Sequence, residues 1–207
     1  MSQLVRPLDP DRSRRILEAG MRLFSGMPYA DVHMEAVAAA AGVAKPTLYR
    51  YFPTKEALFI AGLAWTLAEL REAIGATRTT GGDEARRLEV AVGLVLERIG
   101  RLSPALHAIE SRSSDLGEKS RRVLREGFDG LRDALAALLR DGVAAGRFDV
   151  PDVDLAVMMV LGGIRMAAHG TGREAPSPTA VAAFFLNGLR AGAAVPLPAV
   201  RRLGALA

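Results

Sequence analysis

From Val37 to Phe52 the chain reads Val-Ala-Ala-Ala-Ala-Gly-Val-Ala-Lys-Pro-Thr-Leu-Tyr-Arg-Tyr-Phe, an order that few folds accommodate. Gly42 follows a run of alanines and tolerates a positive φ, so a short helix is expected to stop there and the chain to turn. Val43 is placed to plug the angle between that helix and the next. Proline is tolerated in the first turn of a helix, where its missing N–H is no loss, so Pro46 places the start of a second helix near Lys45. Leu48 and Phe52, four apart, give this second helix an inward stripe. Lys45, Thr47, Tyr49, Arg50 and Tyr51 are left for its other faces. Cations, hydroxyls and amphipathic rings of that kind suit phosphate oxygens and base edges.

The rest of the chain keeps the helical period. A first helix is expected from about Asp11 to Phe24, with Ile16, Leu17, Met21 and Phe24 as its apolar positions. Met34 to Ala40 and Lys45 to Tyr51 follow, and then Lys55 to Gly75, capped by Thr54. Thr77 to Gly82 breaks the pattern. Beyond Asp83, Leu88, Val92, Val95, Leu96, Ile99 and Leu102 share one face. Ser103-Pro104 is expected to cap and start a short helix through Arg112. Asp115 and Glu118 suit the cap of a long helix carrying Leu124, Phe128, Leu131, Leu135, Leu138 and Val143. Gly146 to Val150 reads as a turn, and Asp154 to about His169 and Pro178 to about Ala194 as the two last helices. No stretch alternates with the two-residue period of strands, so the fold class is all-α.

Residues 12 to 59 resemble the DNA-binding domain of TetR/AcrR-family transcriptional regulators. The resemblance is carried by Phe24, Gly26, Tyr29, Val37-Ala38, Ala41-Gly42-Val43, Pro46-Thr47-Leu48-Tyr49, Tyr51-Phe52 and Lys55. One departure is Val32-His33-Met34, where the family commonly has adjacent Thr or Ser; His33 there replaces a hydroxyl as helix cap and phosphate contact. The resemblance implies an N-terminal three-helix helix-turn-helix domain over 1–55. A helical effector-binding and dimerisation domain over 56–207 follows, with the helix from about 55 to 75 as connector. It implies a sequence-specific regulator, usually a repressor, that leaves a palindromic operator in double-stranded DNA when a small molecule binds the C-terminal domain. An activator of the same fold is the alternative. No enzymatic activity, cofactor or metal is implied.

By the same resemblance the helix from Lys45 to Tyr51 enters the major groove. Lys45 and Arg50 are then the candidates for base edges, since cations bond guanine acceptors. Pro46 and Thr47 suit a thymine methyl or, for Thr47, a phosphate. Tyr49, Tyr51 and Lys55 are expected to clamp the backbone. Tyr51 has a second reading, packing on the first helix, and Tyr49 another, as part of the local core.

The charge balance agrees with a polyanionic partner. Net charge is +4, and residues 1–55 hold eight Lys/Arg against five Asp/Glu, or +3 of it. Arg12, Arg14 and Arg15 cluster at the start of the first helix, where neutralised phosphates would release counterions. Cysteine is absent, which removes disulfides, thiolate metal sites and a thiol nucleophile. The N-terminal residues reach charge and proline before any apolar run, and only ten uncharged residues separate Asp154 from Arg165. A spanning helix needs about 20, so a cytoplasmic protein without membrane contact is expected.

Two features of the second half ask for burial. The helices at 154–169 and 178–194 are apolar on several faces, and each such face must meet something. The family resemblance assigns them to a homodimer interface, with Gly162-Gly163 allowing close approach; a buried pair inside a monomer is the alternative. The surplus of apolar residues also suits an effector cavity, with Arg98, His107, Arg112, Arg165 and His169 as polar fixtures among Trp65, Phe128 and Met158. Arg165 stands out because a charge within Val-Leu-Gly-Gly-Ile-Arg-Met is costly unless it meets an anion or solvent.

Catalytic patterns are missing. The three histidines, His33, His107 and His169, are far apart, and neither a metalloprotease helix nor a Gly-x-Ser-x-Gly elbow occurs. Glu118 stands where a phosphate loop needs glycine before Lys119. Asp149, Asp152 and Asp154 suit a turn and a helix cap better than a divalent ion. A DNA-binding architectural protein without effector is the remaining alternative, disfavoured by the long apolar second half.

Overall fold

The computed structural model describes residues 9–79, 82–110, 116–169 and 177–189. Among them every regular element is helical. The first begins at Asp9, whose carboxylate accepts the N–H groups of Asp11 at 3.0 Å and Arg12 at 3.3 Å, with Pro10 in the first turn. This helix, α1, runs Pro10–Gly26 and buries Ile16, Ala19, Met21 and Phe24. A 3-10 turn over Tyr29–Asp31 leads to α2, Met34–Ala40, and α3, Lys45–Tyr51, both with the bounds read from the sequence. Gly42 makes the turn between them with φ at 65°, while the N–H groups of Gly42 and Val43 bond the carbonyls of Ala39 and Ala38.

The fourth helix, α4, spans Lys55–Thr77 and is capped by the Thr54 hydroxyl, which accepts the Ala57 N–H at 3.0 Å. It is more than a connector. Phe59, Leu63, Leu67, Leu70 and Ile74 are essentially withdrawn from solvent and form one buried stripe along the helix, and Leu58 is buried on another side near its start. Each such side chain contributes roughly 1.5–3 kcal/mol of burial. Its N-terminal half packs on α1, and along its length lies α7, Glu118–Ala144, the longest helix. Packing on α1 is close at one point: a Cβ built on Gly62 would overlap the Met21 sulfur.

α5, Glu84–Val95, is capped by Asp83 and runs without a break through a π turn, Leu96–Gly100, into α6, Arg101–Glu110. Here the structure corrects the expected start at Ser103-Pro104: Pro104 lies inside a continuous helical run. A proline ring collides with the carbonyl four residues before it, which is Gly100, the last residue of the π turn. The widened turn gives the ring its room and removes the need for a break. Asp115 and Arg112 lie outside the described residues, and α7 starts with Gly117 at its cap position.

α8, Val153–His169, starts at Asp152, whose carboxylate accepts the Leu155 N–H at 2.9 Å, while Asp154 pairs with Arg140 at 3.5 Å. Those two aspartates therefore have structural partners, and no cluster of metal-ligating side chains occurs among the described residues. α9, Pro178–Leu189, ends where the description ends; the expected continuation to Ala194 lies outside the described residues. The Leu189 carbonyl accepts the Asp149 N–H at 2.8 Å, which ties α9 to the turn after α7. One buried apolar cluster runs from Ile16 in α1 to Leu186 in α9. No described helix is long and apolar enough to cross a membrane.

Candidate nucleic-acid interface and effector cavity

α3 is held by its inward side chains. Leu48 is fully buried and Tyr51 nearly so, and Phe52 closes the helix beside them. What remains outward is Lys45, Pro46, Tyr49 and Arg50, all exposed, and Thr47, half-buried. The arginine carbon lies 5.7 Å from the Tyr51 ring and the Lys45 ammonium 5.9 Å from the Tyr49 ring, so both cations rest beside aromatic faces. Cations and hydroxyls alternate along a short helix whose own core contacts keep it rigid. Such a surface can offer hydrogen-bond donors to base edges and phosphates.

Three expected contact residues sit differently from that face. Tyr51 is buried, and its hydroxyl accepts the Asp9 N–H at 2.8 Å, which ties it to the start of α1. Lys55 turns its ammonium to the carbonyls of Tyr29 at 2.8 Å and Ala30 at 3.0 Å and lies 4.7 Å over the Tyr29 ring. Burial pulls this ammonium below its ordinary pKa, with Asp31 opposing. His33 occupies the cap position of α2 and is exposed, but its side chain makes no capping bond, so it does not replace the hydroxyl as a cap.

One residue of this region escaped the sequence reading. Glu35, in the first turn of α2, forms an ion pair with Lys45. The hydrogen bond from Lys45 holds the Glu35 carboxyl below the usual carboxylate range, and Glu35 in turn raises the lysine. Ten positions separate the two residues, and the fold of the turn alone brings them together.

The candidate effector residues divide between separate places. Trp65 and Arg98 line an open groove between α1, α4 and the π turn, together with Met21, Arg22, Glu69 and Arg101. Arg98 is bonded there to Glu69 at 3.0 Å. Phe128 and Arg165 line a second, more enclosed cavity of about 240 Å³, walled by Val95, Ile99, Leu106, Leu131, Leu161 and Ile164. Met158 lies on the exterior of α8, and His107 is exposed. Arg112 is outside the described residues, and so is the side chain of His169. Arg98 thus faces the groove and its neighbour Ile99 the cavity.

α8 and α9 bury Val157, Val160, Ile164, Val181, Ala182 and Leu186 within the chain. Gly163 faces the Phe185 ring of α9, so its lack of a side chain serves packing inside the chain, while Gly162 is open. Leu155, Met158, Met159, Met166 and Phe184 remain exposed, from 51% to 76%.

A short, rigid, cationic helix after a glycine turn, standing on a helical body, defines a helix-turn-helix regulator. The chain belongs to the TetR family. The family model for bacterial regulatory proteins of the tetR family matches residues 16–61, and that for the tetracyclin repressor-like C-terminal domain matches residues 81–169. The chain is 31% identical over 136 residues to the HTH-type transcriptional repressor KstR of Mycobacterium tuberculosis, a match covering 66% of this chain and 61% of that one. It is 26% identical to the HTH-type transcriptional regulator EthR of Mycolicibacterium smegmatis, over 88% and 86% of the two chains. The match thus spans under two thirds of the length of KstR and most of EthR. Among solved structures, a TetR transcriptional regulator from Streptomyces coelicolor shares the fold with a TM-score of 0.66 at 25% identity, over 87% of this chain and 99% of that one.

Proposed function

We propose that this protein is a cytoplasmic, homodimeric transcriptional repressor that reads a two-fold operator through α3 and releases it when a small molecule binds among α5–α8. The observation that carries the reading is the outward face of α3, where Lys45, Pro46, Thr47, Tyr49 and Arg50 stand over a buried Leu48. Lys45 and Arg50 contact base edges, and Thr47 and Tyr49 position the helix on the backbone, with His33 at the start of α2 as a further backbone contact. Tyr51 and Lys55 act from behind, by holding α3 and α4 to the Asp9 and Tyr29 backbones. The similarity to KstR, a named repressor, supports the sign of regulation. Residues 1–55 form the reading part and 56–207 the effector and dimer part, with α4 common to both.

The dimer is supported by the exposed stripe of Leu155, Met158, Met159 and Met166 on α8 with Phe184 on α9. An apolar patch of this extent on a helix pair favours a partner, and a copy related by two-fold symmetry presents two reading helices. Successive major grooves on one side of DNA require a separation of about 34–36 Å.

The enclosed cavity suits a ligand with an apolar body and one acceptor or anionic group placed against Arg165. The groove holding Trp65 and Arg98 is the more polar alternative. Because α4 packs on both α1 and α7, a ligand that prefers one pose of α4 changes the spacing of the reading helices. The test is release of a labelled operator duplex by straight-chain carboxylates. Release from wild type but not from Arg165→Ala, with DNA affinity unchanged, supports the reading. Equal release from both variants contradicts the role of Arg165.

A further inference from the structure

Glu35 is the one acidic residue between Val32 and Phe52, in the segment that faces a polyanion in the reading above. Unpaired, a carboxylate there would repel every phosphate. In the structure it is not unpaired: it holds the ammonium of Lys45, which also lies beside the Tyr49 ring. Both side chains are about half exposed, at 56% and 55%, so the pair contributes little to stability. Its consequence lies in what Lys45 can bind.

An ammonium has three donors, and Glu35 takes one of them. The others can reach the oxygen and nitrogen acceptors of a guanine edge, which are neutral and tolerate a carboxylate nearby. A phosphate is different. An anionic oxygen at Lys45 comes within a few ångströms of Glu35, and two like charges at that distance oppose each other. Phosphates occur in every duplex, whereas a correctly placed base edge occurs only in the operator. The pair therefore penalises sequence-independent contact and spares the specific one.

We propose that Glu35 is a specificity-determining residue, which directs Lys45 to a base edge and disfavours its use as a phosphate clamp. This rests on the DNA-reading role of α3. Glu35→Gln keeps the shape and the acceptor and removes the charge. The experiment measures dissociation constants for a selected operator duplex and a scrambled duplex over a range of salt, with wild type and Glu35→Gln, each also in a Lys45→Gln background.

Glu35→Gln is expected to tighten scrambled-duplex binding by about tenfold, a change of about 1.4 kcal/mol, while operator binding moves by less than about threefold. The salt slope on scrambled duplex steepens by about one ion as Lys45 becomes a phosphate contact. In the Lys45→Gln background the gain shrinks to under about twofold. Equal tightening on both duplexes, or the same gain without Lys45, would overturn the proposal in favour of a simple charge effect; no change on either duplex would overturn it outright. If wild type itself fails to prefer the operator, the reading role of α3 falls first and this proposal with it. A thermal midpoint for each variant confirms that folding is not the cause of any change.

Discussion

The Lys55 ammonium donates to the Tyr29 carbonyl at 2.8 Å and lies over the ring of the same residue, so the first turn of α4 is pinned to the loop that follows α1. The Tyr29 ring stacks in turn on Phe24 and meets the edge of Phe59, with centroids 5.5 and 5.7 Å apart. Lys55 thus closes an aromatic cluster shared by α1 and α4. Replacing it with Met keeps the stem and removes the donors; the expected cost is about 1–2 kcal/mol, in the range for hydrogen bonds from a charged group and reduced by partial exposure. Urea denaturation measures it. DNA affinity should fall without a change in salt slope, whereas loss of a phosphate contact would flatten that slope by about one.

Tyr51→Phe isolates the bond from the Asp9 N–H to the tyrosine hydroxyl, which joins the end of α3 to the start of α1 across 42 positions. A loss of about 1 kcal/mol is expected in chemical denaturation. Sequence preference should be unchanged, because the ring stays buried and the outward face of α3 is untouched.

Gly62 and Met21 make α1 and α4 one body. Gly62→Ala forces the methionine side chain to move, while alanine is the better helix former by about 1 kcal/mol, so a net loss of about 0–2 kcal/mol is expected. Met21→Ala in the same chain makes room for the new methyl, so the double variant should be more stable than the sum of the two single losses implies. Thermodynamic cycles from urea titrations provide the check; strict additivity would show that the contact does not couple the two helices.

What the sequence made legible was local. The bounds of α2 and α3 follow from Gly42 and Pro46, whose backbone preferences act without help from distant residues. The break expected at Ser103-Pro104 does not occur, because the chain stays helical from Glu84 to Glu110 with a π turn, Leu96–Gly100, just before Pro104. Arg98 lines a different pocket from Phe128 and Arg165, although the sequence grouped them in one. Lys55 illustrates a further limit, since its place in the motif is readable while the carbonyls that hold it become neighbours only in the fold.

Charges placed on the exposed stripe test the dimer. Met159→Glu together with Phe184→Glu should yield a monomer by sedimentation equilibrium, with secondary structure retained because both side chains already face solvent at 63% and 76% exposure. Operator affinity should fall by more than about a hundredfold, since one reading helix is lost from each binding event. A dimer that persists would place the interface elsewhere.

Selection from a pool of random duplexes shows whether this chain reads DNA sequence as a symmetric dimer through α3. Enrichment of a two-fold site is expected, with half-sites about one helical turn, or a multiple of it, apart, and loss of preference at defined bases in Arg50→Ala. No enrichment by folded, dimeric protein, or enrichment that Arg50→Ala and Lys45→Ala leave intact, would contradict it.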